Sequence, residues 1–325
     1  MNLETLHHFC TLCATPGDET AVFEALRTRW TMQGLDIKTF GSYAITAQSG
    51  ERKKSDTLLL IAHADAPGFI VSSVISPTEC EVLVLGGILP EADAQLLLKT
   101  ASELVSAAHL YAPDPDNGWS RSQPLRVTFD SAVPTLQKGD RLCWSPVWEQ
   151  SDDCITSPFL DNRIGCALLA DWYDNHATEL ADYNVILAAT AMEEVNGFGA
   201  SVLARQVSAD AVIALDVTYE NEKQSVALGK GPVITLSDAS VLLSMKLRDQ
   251  LLACGVPLQT EVYNFSGTDA KAFPHQGCPT PVIPLLLATQ GNHSPRETIS
   301  IADLHEWPSA IHAIARTLFE KTLHS

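Results

Sequence analysis

The chain has 325 residues, 46% of them hydrophobic and 18% charged, with a formal net charge of −18. That length supports a sizeable core in one large domain or two moderate ones, and the acidity argues against nucleic acid or an anionic membrane as partner. No apolar run approaches membrane-spanning length, and Met1-Asn-Leu-Glu-Thr-Leu-His-His lacks the flanks of a signal peptide, so a cytoplasmic location is expected. The cysteines, at 10, 13, 80, 143, 154, 166, 254 and 278, are dispersed and are expected to be reduced thiols. Cys10 and Cys13 form a C-x-x-C without the second pair of a zinc ribbon, and helical spacing on an apolar face accounts for them.

In chain order, the first segment predicts a helix, a loop at Ala14-Thr-Pro-Gly-Asp18, and a helix from Glu19 to Gln33 closed by Gly34. The strand Thr57-Leu-Leu-Leu-Ile-Ala62 then leads to His63. From about residue 67 to 154 helical periodicity fades. Short runs there alternate with Gly and Pro turns: Phe69–Ile75, Cys80–Leu85, Leu125–Phe129 and Asp140–Trp144. They predict a small antiparallel barrel or sandwich, with an exposed loop over Tyr111–Ser120. After Asp161 helices and strands alternate again, ending in a helix near Ile301–Leu323. The expectation is an α/β domain with a mostly parallel central sheet flanked by helices, interrupted by an all-β insert. The division is 1–66 and 155–325 for the α/β domain and 67–154 for the insert.

Chemistry-bearing residues cluster at the ends of these elements, where an open α/β sheet places its site. Glu193 and Glu194 follow the apolar strand Asn184–Thr190 and precede a glycine-containing turn. Two neighbouring carboxylates there are costly unless each is paired or bound to metal. His63 and Asp65 form an H-x-D, the spacing of a histidine ligand and a carboxylate that orients it; alone the triplet fits a satisfied strand-end histidine better. Asp161 opens the stretch Asp161–Ala170, a position that suits an N-cap and also a ligand. Asp216 follows Ala211–Leu215, and His293 follows Pro281–Leu287. Such a set of oxygen and nitrogen donors, with no cysteine, suits a pair of ions if one carboxylate bridges them, zinc first and cobalt or manganese otherwise. One glutamate can ligate while the other serves as base, which makes hydrolysis the natural reaction class. Spacing does not say which glutamate does which. His7, His8, His176 and His324 are read as surface residues.

These blocks resemble the TET-type aminopeptidases, the glutamyl and deblocking family of cytosolic dinuclear metallopeptidases. The resemblance rests on Ala62–Phe69, Leu160–Cys166, Ala191–Gly197, Leu215–Thr218, Gly229–Ile234, Ser266–Ala270 and Asn292–Pro295, in family order. It implies that His63 and Asp216 hold one metal, Glu194 and His293 the other, and that Asp161 bridges them. It also implies Glu193 as general base, Asp65 as the residue orienting His63, and a zinc-exopeptidase fold. The insert corresponds to a dimerisation domain, and the implied assembly is a dimer-based dodecamer around an inner chamber that admits peptide substrates. Ala66-Pro67 departs from the acidic-then-aliphatic pair usual after the H-x-D. The expected activity is removal of N-terminal residues from peptides. The alternatives are a related co-catalytic carboxypeptidase or deacylase, whose lid domain would follow the glutamate pair, and a metal-poor assembly subunit.

Overall fold

The structure is a computed structural model that describes residues 1–51, 56–88, 91, 94–100, 104–111, 120–239, 241–263 and 266–320. It opens with α1 (Leu3–Cys10), α2 (Thr20–Met32), β1 (Asp36–Phe40), β2 (Ala44–Gln48) and β3 (Thr57–His63). Six strands follow: β4 (Gly68–Ser76), β5 (Glu79–Leu85), β6 (Gln95–Lys99), β7 (Leu104–Tyr111), β8 (Leu125–Phe129) and β9 (Arg141–Trp144). Next come β10 (Glu149–Gln150), β11 (Cys154–Ser157), α3 (Leu160–Asn175), β12 (Asn184–Thr190), α4 (Phe198–Gln206) and β13 (Ala211–Tyr219). The chain ends with β14 (Val233–Ser237), α5 (Met245–Leu252), β15 (Gln259–Val262), α6 (Ala272–His275), β16 (Val282–Gln290), β17 (Glu297–Ser300) and α7 (Ile301–Glu320).

The large sheet has the order β1-β2-β12-β3-β13-β16-β17-β11-β10, with β14 and β15 attached at β16. Its middle, β12-β3-β13-β16, is parallel. The flanks are antiparallel, so the expected mostly parallel sheet is in fact a mixed one with a parallel centre. Sequence pattern explains the division. β3 is buried at every position and reads as a continuous apolar run, which suits a strand covered by helices on both faces. The edge strand β1 is exposed or half-buried throughout, and needs only one neighbour. One core, including Leu60, Ile164, Leu187, Ile213 and Trp307, fills the space between sheet and helices.

β4 to β9 close into a separate antiparallel barrel, order β4-β5-β8-β7-β6-β9, around its own core of Phe69, Val82, Val127 and Trp144. Its strands run from Gly68 to Trp144, while β10 and β11 pair back into the large sheet through β17. β6 and β7 were not legible in sequence. Most of the expected loop after Tyr111 lies outside the described residues, as does His324. Helix α2 ends where expected, with Gly34 in the left-handed region at φ +70°.

Two sequence expectations need correction. Cys13 is not on α1 beside Cys10; it lies past the helix, packs into the barrel core and is joined by a disulfide to Cys143 of β9. A contact spanning 130 residues carries no local sequence signal. His176 is half-buried, not a surface residue, because its ring packs against Trp172 and His312.

Candidate metal centre

The parallel centre of the sheet puts its C-terminal strand ends side by side, and the candidate residues sit on them. His63 ends β3, the glutamate pair follows β12, Asp216 lies in β13, and His293 follows β16. Asp161 comes from the start of α3. Its expected capping role goes to Asn162, whose Oδ1 accepts from Gly165 N–H at 3.0 Å. Asp161 and Asn162 themselves have non-helical backbone angles, and the peptide between them is cis. The Asp161 carboxylate faces two histidines.

The side chains converge. His63 Nε2 lies 3.0 Å from Asp161 Oδ1 and 3.4 Å from Asp216 Oδ1. His293 Nε2 lies 3.1 Å from Asp161 Oδ2 and 3.5 Å from Glu194 Oε2. Among the described residues, His63, Asp161 and Glu194 bring ligand-type atoms within 4.8 Å of one another. They border a cleft of about 90 Å³ that continues past Thr218, Tyr219 and Glu261. A groove of about 710 Å³ on the β1–β12 side is roomier, but none of these residues lines it.

Asp65 takes a position that sequence did not specify. Its main-chain carbonyl faces His63 Nδ1 at 3.1 Å, while its carboxylate stays 3.7 Å from that nitrogen. The two carboxylate oxygens instead accept the N–H groups of Glu193 and Glu194, each at 3.1 Å. Arg163, fully buried, donates to the carbonyls of Ala64 and Asp65 and so holds this turn from behind.

Other residues contribute that sequence reasoning passed over. Lys271 Nζ pairs with Glu193 Oε1 at 3.0 Å. Burial works against the Lys271 charge, but Glu193, with Asp269 and Asp216, outweighs it and raises the ammonium pKa. Glu19 Oε1 accepts from Gly17 N–H at 2.7 Å and from Met192 N–H at 3.1 Å. Asp269, buried and hydrogen-bonded to Thr190 Oγ1, is pushed up to about 8 by burial and by the charge of Glu193. Asp269 and Lys271 lie in or beside a block that carried the family resemblance, the one sequence signal pointing to them.

Burial and crowded charge perturb the whole cluster. Burial raises Asp216 to about 7 and Glu194 well above the usual carboxylate range. Burial alone would lower His63 and His293, yet Asp216 and Asp161 raise the first, and Glu194 and Asp161 raise the second to about 10. Protons are thus drawn in to offset crowded negative charge. Glu194 Oε1 is buried with no hydrogen-bond partner, and Asp161 Oδ1 faces His63 without the alignment of a hydrogen bond. Buried acceptors that point at one another fit a divalent cation, and an all-oxygen-and-nitrogen donor set fits zinc, cobalt or manganese.

The sequence model of the M42 glutamyl aminopeptidase family matches residues 130–308. The chain belongs to that family. As an M42 member it is a hydrolase of the aminopeptidase class, acting on peptides. It is 25% identical to FrvX of Escherichia coli (strain K12), provisionally named an aminopeptidase, across 98% of this chain and 96% of FrvX. It is 22% identical to the glutamyl aminopeptidase of Lactococcus lactis subsp. cremoris (strain MG1363), across 94% of this chain and 93% of that protein. The fold matches the Pyrococcus horikoshii TET1 peptidase, described as assembling into a tetrahedron or a large octahedral shell, with a TM-score of 0.82. There the identity is 22%, over 96% of this chain and 98% of the other. Among the described residues of this M42 chain, no helix is long and apolar enough to cross a membrane.

Proposed function

We propose that the chain is a metal-dependent aminopeptidase whose centre holds a pair of divalent ions and uses Glu193 as general base. The observation that carries this reading is the orientation of Asp161. Its Oδ1 faces His63, its Oδ2 faces His293, and Asp216 and Glu194 complete the two sides. His63 and Asp216 would hold one ion, His293 and Glu194 the other, with Asp161 between them.

When bound, the ions would supply Lewis-acid polarisation of the scissile carbonyl and acidify the attacking water. The chain's own residues do the rest. Glu193, at the border of the cleft, takes the proton of the nucleophile and delivers it to the leaving amine. Lys271 fixes the Glu193 carboxylate by its ion pair, and Asp65 fixes the backbone beneath it. The acidic surroundings suit a substrate that presents a free amino group.

The β4–β9 barrel would be the dimerisation insert and the remaining α/β body the catalytic part, assembled in the cytoplasm as a dimer-based dodecamer. The dodecamer and the tetrahedral or octahedral shells described for TET1 peptidases support the self-association in this reading.

Chelation is the test. Dialysis against a strong chelator is expected to abolish hydrolysis of aminoacyl chromogenic substrates. Zinc, cobalt or manganese should restore it, with about two ions per chain by elemental analysis, as a two-metal site requires. Full activity in metal-stripped protein would end the reading.

A further inference from the structure

Glu297, at the start of β17, is 2% exposed and spans two chain segments. Its Oε2 accepts the main-chain N–H of Asp161 at 2.9 Å, and its Oε1 accepts the main-chain N–H of His293 at 2.8 Å. Neither amide has a partner from a regular element. Asp161 is non-helical at the mouth of α3, and His293 sits in the left-handed region at φ +63°. Buried main-chain donors need acceptors, and here one carboxylate serves both. The two residues it ties are those whose side chains meet at 3.1 Å, His293 Nε2 against Asp161 Oδ2.

We propose that Glu297 is a positioning residue of the metal centre: by accepting the amides of Asp161 and His293 on its two oxygens, it sets the separation of these two ligand side chains. The proposal rests on the reading of Asp161 and His293 as ligands. A carboxylate suits the task because it accepts on both ends and donates on neither. A glutamine of the same shape has one accepting end. Its NH₂ would face the other amide N–H, donor against donor, and push one of the two segments away. Asp65 makes the same double acceptance under Glu193 and Glu194, but those are neighbours in sequence. Glu297 joins segments 132 residues apart.

The test uses the chelator-stripped full chain, titrated with zinc by calorimetry and melted with and without zinc. E297Q is expected to fold in chelator but to bind at least one ion about 10- to 100-fold more weakly, the usual effect of losing an outer partner of a ligand. The rise in Tm on adding zinc should shrink accordingly, since that rise reports binding to the folded state. E297D separates geometry from charge. It restores the negative charge one methylene too short, so it should stay weak, and it serves as the deciding variant if E297Q does not fold. Zinc affinity equal to wild type in either folded variant would overturn the proposal. So would an equal loss of Tm with and without zinc, the mark of a purely structural residue. If the unchanged protein itself took up no zinc, the ligand assignment would fall, and the role of Glu297 with it.

Discussion

The α/β body and the barrel bury different things. Within 68–144, the buried polar side chains among the described residues are Thr100 and Asp140. The body buries His63, Asp65, Asp161, Arg163, Glu193, Asp216, Asp269 and Glu297. Buried charge is expensive unless paired, hydrogen-bonded or bound to metal, so a fold that collects it at one set of strand ends is maintaining a site. The barrel core, with Phe69 edge-on to Trp144 at 5.3 Å between ring centroids, needs no such explanation. The lesson is that chemistry and mere stability can be separated here by which kind of side chain each core encloses. The two regions are nonetheless joined by the Cys13–Cys143 disulfide, by the Lys99–Asp18 ion pair at 2.6 Å, and by the Gly86-Gly87 turn.

The sharpest test of the contrast lies within the body. Glu193→Gln is expected to lower turnover by about 10²- to 10⁴-fold while metal content stays near wild type, the usual loss when a general base is removed. Glu194→Gln should instead lose metal, since a neutral amide is the poorer ligand. Elemental analysis of both variants decides; the opposite pattern would exchange the two roles.

The barrel should answer differently. Phe69→Ala removes a fully buried ring and is expected to cost about 3–5 kcal/mol of stability, typical of emptying an aromatic site in a core. Denaturant unfolding measures that loss. Metal content and turnover per folded chain should not change, and a loss of metal affinity without a loss of stability would break the contrast.

The joint between the regions is the place where it should fail. A Cβ on Gly87 would come within 2.4 Å of His293 Nδ1. Gly87→Ala is therefore expected to shift the His293 ring and weaken metal binding by about 10-fold, the lower end of what disturbing a ligand's support costs. Zinc titration checks it. Unchanged affinity would mean that the turn yields and the barrel has no hold on the centre.

Much of this was legible in the sequence for a physical reason. Continuous apolar runs mark the strands buried on both faces, and the residue at the end of such a run must lie near the C-terminal edge of the sheet. That logic pointed to His63, Glu193, Glu194, Asp216 and His293 as candidates before any coordinates, while Asp161 stood out as the carboxylate that opens an apolar helical stretch. The gaps have equally definite causes. The mixed character of the sheet arises from flanking strands whose pairing partners are distant in sequence, as when β11 pairs with β17. Glu19 and Glu297 carry no pattern, because their value lies in main-chain amides that the fold delivers to them.

By itself, then, the sequence determined the alternation of apolar runs and turns, hence an α/β body with a β insert, and which side chains are candidates for holding a metal. Only the tertiary structure decided that Asp161 faces two histidines with two different oxygens, that Asp65 grips the glutamate backbone, and that a barrel turn lies alongside His293. Side-chain type is a local property written residue by residue. Direction and separation depend on contacts between segments far apart in the sequence, and those exist only once the chain has closed on itself.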